Sequence, residues 1–545
     1  MARLYNKQKQ FAALLRQVPG WAHDDYKYWW IDWKMMRDAF AGEREIKKEG
    51  PLYLPIMDAM DADEYDAYKE RATFYNAVNR TVMALHGTIF RRRMRVENLP
   101  EKWKDLTDSF TRSGLSLPMF AKVAVQEVLL MGRYGALVDM PRDGGTPYVA
   151  QYVAENILHW EVEVYKGRYR LSKVVLREFH SSRDKTSKMW KDHAAYRVLA
   201  LENNVYKQYY YRVDGSNADP FNEGHLAPGY PVTPKRLGQA LDFIPFEFFG
   251  SMINDAQIER PPLLDVGNLN ISHYRSYADL EHGRFYTGFP IYYAQSSSGE
   301  SGDFEIGPSR VWVVQQGDKP GLLEFNGNGL KFLSEALDQK EQQISSLGGR
   351  MLGIRAGGTS ESNNQVKLKE RNEQSLLLNI SSAADECLTQ LLRWMVWWSG
   401  ESKPTCSIEL NKDFLLDGIG ARELRAIHSM YLDGILPIDV VYEYLRKSEV
   451  IPDYMSVEEF KKLLENMEQF PNQPDAEARS EGYPDKKAQL EQERQEDEAA
   501  RQAEQLEKQQ AQQAGQSSGG FPPSNQGANQ PPVPPQKKPP VPPKK

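Results

Sequence analysis

Residues 261–288 read PPLLDVGNLNISHYRSYADLEHGRFYTG, a stretch that opens on Pro261-Pro262 and closes on Gly288. Leu263, Val266, Leu269, His273, Tyr277 and Leu280 recur at steps of three and four, which predicts one long helix with a buried stripe. Two prolines suit a helix entry and a glycine its exit. At 1.5 Å per residue the rod reaches about 40 Å, the width of a small domain. About forty residues of strand and turn signals follow Pro290, including SRVWVVQQG, between SSSGESGD and FNGNG. A second helix is expected from Leu330 to Leu347, with a narrow stripe of Leu330, Leu333, Leu337 and Ile344. Next comes GGRMLGIRAGGTSESNN (348–364), too rich in glycine and polar residues for regular structure, read as a mobile loop. From Gln365 to Trp398 the apolar residues Leu377, Ile380, Ala384, Cys387, Leu391, Trp394 and Trp398 fall near a seven-residue repeat, predicting a long helix packed on other helices.

Ahead of the rod, residues 63–93 place Tyr68, Ala72, Tyr75, Val78, Val82, Leu85 and Ile89 on one helical face, ending in Arg91, Arg92 and Arg93. Cations after a helix end suit its negative pole. Leu117 to Met131 reads as another helix, and Gly132 and Gly135 then turn the chain into an extended run, Ala136 to Met140. Alternating segments from about residue 148 to 250 predict an antiparallel, mostly β region. CSIELNKDF is a further strand, and residues 418–467 suggest short helices broken by Gly434, Pro437 and Pro452. From Phe470 the chain turns Glu, Gln, Ala and Lys-rich and then proline-rich, the composition of a solvated tail. The fold class expected is α+β.

The 545 residues suffice for more than one core, and 40% hydrophobic, 26% charged and 11% aromatic content is ordinary for globular protein. A formal charge of −7 argues against a clamp on a nucleic-acid backbone, because such binding draws its free energy from cations that displace condensed counterions. Cys387 and Cys406 are the only cysteines, too few for a disulfide framework or a thiolate metal site, which points to a reducing compartment. The basic start MARLYNKQKQFAALL lacks a secretory core and cleavage site, and the apolar run Leu391 to Trp398 is short of a membrane span.

Phosphate-loop, zinc-protease and nucleophile-elbow motifs are absent. His273 and His282 share a helix but lie too many turns apart to chelate one ion. DADEYD (61–66) lacks the central glycine and closing glutamate of a calcium loop and reads as an acidic helix start. No catalytic residue, metal ligand or cofactor is assigned. The 348–364 glycines with Arg350 and Arg355 have the makings of a phosphate cradle, but a hinge is the simpler reading. PPVPPQKKPPVPP resembles ligands of aromatic-grooved adaptor domains, against the plainer reading of a solvated tail.

The order β-rich body, long helix, small β insert, returning helix, Gly-rich loop, long helix and helical cap resembles that of the portal, or head-to-tail connector, proteins of tailed double-stranded DNA bacteriophages. YKERATFYNAVNRTVMALHGTIFRR, LLMGRYGALVDMPR, the opening stretch and ERNEQSLLLNISSAADECLTQLLRWMVWW carry the resemblance locally, over most of residues 50–415. It implies a wing (1–262), stem helices (263–288 and 330–347), a clip (289–329), a tunnel loop (348–364), a kinked helix with the rest of the wing (365–415) and a crown (416–469), leaving 470–545 as a disordered tail. It further implies a structural, non-enzymatic ring at a virion vertex, dodecameric and assembled in the host cytoplasm. Double-stranded DNA would pass through it, and terminase, major capsid, scaffold and neck or tail adaptor proteins would dock on it. Gly348, Gly349, Arg350, Arg355, Gly357 and Gly358 then match the tunnel loop, and Lys331 and Lys340 are candidates to face the channel. The alternatives are a neck adaptor, a tail-tube protein or a phosphate-binding enzyme built on the 348–364 loop.

Overall fold

Two aspartates and a histidine start the first described helix, α1 (Asp24–Ala41): the His23 ring accepts from the Asp25 amide, and both aspartates sit in the positive first turn. Tyr26, Trp30, Trp33, Met36 and Ala39 are its buried face, and Gly42 at φ +102° ends it. The computed structural model describes residues 18–57, 60–142, 144–183, 190–213, 219–288, 291–295, 319–323, 328–352, 375–412, 414, 421–447, 450–451 and 455–469. The chain divides into two units, Met1–Asp453 and Tyr454–Lys545.

After α2 (Glu43–Glu49) come α3 (Ala62–Arg71) and α4 (Ala77–Ile89), where periodicity alone predicts one continuous helix. Asp61 and Glu64 form a reciprocal capping box at the start of α3, which accounts for the acidic DADEYD run. The break between α3 and α4 has a tertiary cause. Asn270, fully buried on a distant helix, accepts from the amides of Ala77 and Val78 at 3.1 and 3.2 Å and donates to the Tyr75 carbonyl at 2.7 Å. Asn76 completes the cap by accepting from Asn79. The new start buries Val78, Val82, Leu85 and Ile89 as the stripe requires, whereas Tyr75 is exposed.

β1 (Arg95–Glu97) and the single turn α5 (Asp105–Asp108) lead into α6 (Leu117–Met131) and β2 (Arg133–Asp139), every residue of which is buried. Gly132 joins them at φ +69°, and a Cβ there would lie 3.0 Å from the Glu259 carbonyl oxygen, so the junction requires glycine twice over. β2 is the centre of an antiparallel three-stranded sheet with β3 (Tyr148–Val153) and, later, β11 (Phe246–Gly250); Leu137 pairs with Ala150 on one side and Phe246 on the other. Between them β4 (Ile157–Tyr165), β5 (Arg168–Arg183), β6 (Trp190–Glu202), β7 (Val205–Arg212) and β8 (His225–Leu226) form an antiparallel meander, as the alternating pattern predicts. A small ribbon of β9 (Lys235–Arg236) and β10 (Gln239–Ala240) follows.

Arg37 joins these layers. It forks onto both oxygens of Glu127 on α6 at 2.8 and 2.7 Å and onto Glu155 between β3 and β4 at 2.8 and 2.9 Å. Trp33 adds a hydrogen bond to the Met131 carbonyl at 3.0 Å.

The remaining elements are α7 (Leu264–Thr287), β12 (Ile291–Gln295), β13 (Lys319–Leu323), α8 (Asn328–Leu352), α9 (Ser375–Trp398), β14 (Ser407–Glu409), α10 (Ala421–Leu432) and α11 (Ile438–Lys447). α9 buries Leu377, Ile380, Ala384, Cys387, Leu391 and Trp398, but its neighbours are largely strands, β2, β11 and β14, together with α6. A heptad-like stripe therefore covers a sheet here, because a flat apolar face serves a sheet as well as a helix. β14 pairs antiparallel with β1, Val96 opposite Ile408. In the second unit α12 (Val457–Gln469) starts with a Ser456–Glu459 capping box. The expected strand at 309–317, the first turns from Gln365 and the tail from 470 lie outside the described residues.

Glu247 on β11 supplies a pH signature. Burial, and then the neighbouring Glu386 carboxylate, push its carboxyl up to about 8. The folded state holds this proton after the unfolded chain has released it, so stability falls as pH rises from about 4.5 to about 8. Glu247→Gln is expected to abolish that slope, about 1.4 kcal/mol per pH unit at its steepest. Denaturation midpoints at pH 5 and pH 8.5 measure it, and parallel wild-type and variant curves would reject the assignment.

Candidate functional site, a two-helix hairpin

The long rod and its returning partner pack against each other. α7 and α8 run antiparallel: Lys340 reaches Ser272 and Ser276, whereas ten residues earlier Leu330 fills the space over Gly283, where a Cβ would come within 2.6 Å. Gly283 is thus the close approach that lets the helices lie side by side near their shared tip. Beyond it, β12 and β13 form an antiparallel pair, Ile291 opposite Leu323 and Gln295 opposite Lys319.

The other end of the hairpin is rooted in the body. Gly267 faces Met36 of α1, with room for no Cβ, since one would lie 2.4 Å from the sulfur. Arg275 donates to the Tyr53 carbonyl at 2.6 Å, Tyr68 donates to Asp279 at 2.6 Å, and Tyr274 meets Phe74 edge-on. The buried face of α7 is accordingly wider than the expected stripe. It adds Gly267, Asn270, Ile271, Tyr274 and Ala278, while Leu269 and Tyr277 are only half-buried. Small and amide side chains mark where α7 meets elements distant in sequence, a signal that an apolar count passes over. Toward the tip, Arg284, Phe285 and Tyr286 are exposed, with the Arg71 guanidinium over the Phe285 ring.

α8 has two different sides. Leu337, Ile344 and Gly348 are buried, Gly348 against Thr81 of α4. The opposite side presents Lys331, Glu335, Asp338, Gln342 and Ser345 at helical spacing, all exposed, and Glu341 lies beside them. Lys331 is 3.9 Å from Glu335, so this stripe carries a surplus of carboxylate.

The eight residues singled out from sequence fall into three sets. Gly348, Gly349 and Arg350 do not open a loop: α8 continues through them to Leu352. Helical hydrogen bonding over a packed turn, with Gly348 wedged on Thr81, outweighs the propensity penalty of two glycines, about 1 kcal/mol each. Lys340 does not face outward. Its ammonium donates to the Ser272 carbonyl at 3.0 Å and the Ser276 hydroxyl at 2.6 Å, and burial holds it below the ordinary lysine range. Lys331 is the exposed one of the two. Arg355, Gly357 and Gly358 lie outside the described residues. His273, buried on α7, approaches Glu341 of α8 at 3.3 Å and stacks on Tyr277, a cross-helix contact that the sequence stripe treated as plain core.

Among the described residues there is no group of three or more His, Cys, Asp or Glu placed to hold a metal ion, and no helix is long and apolar enough to cross a membrane.

Residues 262–399, which span the hairpin and α9, match the family model described as a domain of unknown function, DUF4055. No curated protein matches the chain. Among solved structures, the chain is similar to one from the virion of a native gene transfer agent particle, with 12% identity, TM-score 0.35, and coverage of 66% of this chain and 85% of that one. A chain from the neck of an empty gene transfer agent particle, computed with sixfold symmetry, gives 11% identity, TM-score 0.38, and coverage of 71% and 93%. One from the neck of the native particle, computed with twelvefold symmetry, gives 13%, 0.35, 66% and 86%.

Proposed function

We propose that the chain is a portal protein of a tailed bacteriophage or phage-like particle, a subunit of a dodecameric ring at one virion vertex through which double-stranded DNA is packaged and released. The observation that carries this reading is the antiparallel α7–α8 hairpin, rooted in a mixed α+β body at one end and closed by the β12–β13 pair at the other. In a ring, such hairpins stand side by side as the wall of a bore, and the β pair forms the clip that meets terminase during filling and neck or tail adaptors afterwards. Capsid and scaffold proteins meet the body from outside.

The exposed stripe of α8 suits a conduit. A wall that neutralised phosphates would add a salt-sensitive attraction at every step, whereas Glu335, Asp338 and Glu341 repel the backbone and Lys331 offers an isolated guide. Arg350 and Arg355 are retained as candidates to steady the duplex beyond the stem, and Lys340 is assigned to holding the two helices together. The motor's energy must come from a docked ATPase. Ring closure requires heterologous contacts, one face of the subunit against a different face of the next.

Negative-stain microscopy of the purified full chain tests the reading. Annular particles with a central hole are expected, and compact monomers under assembly conditions would overturn it. Rings located along the tail rather than at the capsid vertex would move the assignment to an adaptor or tube.

A further inference from the structure

Away from the hairpin, a cavity of about 660 Å³ opens where the end of β2 and the β9 segment approach the C-terminus of α9. Its floor is buried and electrostatically closed. Asp139 accepts from Arg197 and Gln208 at 3.0 Å each, from the Tyr148 hydroxyl at 3.2 Å and from the Met140 amide at 3.0 Å, and Arg197 also donates to Glu178 at 2.7 Å. Asp139 has no acceptor capacity left for a cation.

The rim differs. Arg112, Arg142 and Lys235 line it, and none of the three has a carboxylate partner among the described residues. The two guanidiniums lie over aromatic rings instead, Arg112 5.8 Å from the Tyr148 centroid and Arg142 3.9 Å from that of Tyr230. Trp398 closes the wall; its indole N–H is buried and has no acceptor among the described residues. Unpaired cations around a satisfied floor, together with a buried unused donor, select an anion that also brings acceptors. The volume falls within the range of small-molecule sites, about 300–1,000 Å³, and exceeds what a single phosphate ion would fill.

We propose that this cavity binds a free phosphorylated small molecule of nucleotide size, its phosphates on Arg112, Arg142 and Lys235 and its planar group among the Tyr148, Tyr230 and Trp398 rings. Arg forks match phosphate geometry, and the rings give a planar group a stacking surface. The inference concerns a site remote from the hairpin and does not rest on the portal reading.

Isothermal titration of the full chain with magnesium-free ATP, pyrophosphate, adenosine and a short oligothymidylate tests it. ATP is expected to bind saturably, more tightly than pyrophosphate or adenosine. Arg112→Gln/Arg142→Gln, and separately Lys235→Gln, should each weaken ATP binding about tenfold or more, the scale of a lost charge-assisted hydrogen bond. Lys166→Gln, which removes the same single charge as Lys235→Gln but outside the cavity, should leave it unchanged. No saturable ATP binding at low salt, equal binding by the rim variants, or binding of the oligonucleotide alone would each overturn the proposal. Micrographs of the same preparations record ring formation separately, so the two readings fail independently.

Discussion

Asn270→Leu is expected to destabilise the protein by about 2–3 kcal/mol, because it leaves the buried Val78 amide without its acceptor and takes one of two hydrogen bonds from the Ala77 amide and the Tyr75 carbonyl, which keep only the bond between them. All three groups bond to one side chain that is itself fully buried. Leucine preserves volume but supplies neither acceptor nor donor. The midpoint of urea unfolding gives the magnitude, and amide hydrogen exchange at Ala77 and Val78 gives the location, since both should exchange faster than the interior of α4. A loss below about 1 kcal/mol would show that the break between α3 and α4 is held by other contacts. The site matters beyond stability, because this side chain seats the base of the hairpin on the body.

Arg37→Met is expected to cost about 3–5 kcal/mol, the usual penalty for removing the cation paired with a buried carboxylate. Glu127 is the carboxylate left behind; it is buried, and both its oxygens are occupied by the Arg37 fork. Removing the second partner as well should restore much of the loss. Arg37→Met/Glu127→Leu is therefore expected to be more stable than Arg37→Met alone, and a thermodynamic cycle over the two positions measures the coupling. Additive losses would show that the fork contributes packing rather than charge neutralisation.

Much of the chain's architecture is legible in its sequence, and the exceptions share a cause. Period-two and period-3.6 patterns are local, and they locate the β meander, α6 at both of its ends, and the α7 rod to within a residue of Leu263. Glycine at 132 is readable for the same reason, since the helix-to-strand switch and the left-handed turn both need it. Asn270 is different. It interrupts a helix nearly two hundred residues earlier, and no window of sequence contains both ends of that contact. α1 had readable signals in His23-Asp24-Asp25, the aromatic spacing of Tyr26, Trp30 and Trp33, and Gly42, but they precede the strongest periodicities and are easily passed over.

The site was legible as two helices around an insert, not as individual side chains. Lys340 and Lys331 look equivalent in sequence, and only the partner helix separates them by placing Ser272 and Ser276 within reach of one. Gly348 and Gly349 read as breakers, yet tertiary packing on Thr81 overrides propensity, as it commonly does at the end of a long helix. The polar cavity beneath Arg112 and Arg142 gave no signal, because its walls come from segments that only the fold assembles.

The pairing of β1 with β14 bears on how the polypeptide is made. On the ribosome, Arg95 to Glu97 leave the exit tunnel long before Ser407 to Glu409 exist, so one edge of the body must wait while the meander, the rod and its returning mate are synthesised. Loop closure over such a span is entropically costly and slow. The nascent chain therefore completes its body only after α9 has emerged, which makes translation past Glu409 the step that commits the molecule to its final shape.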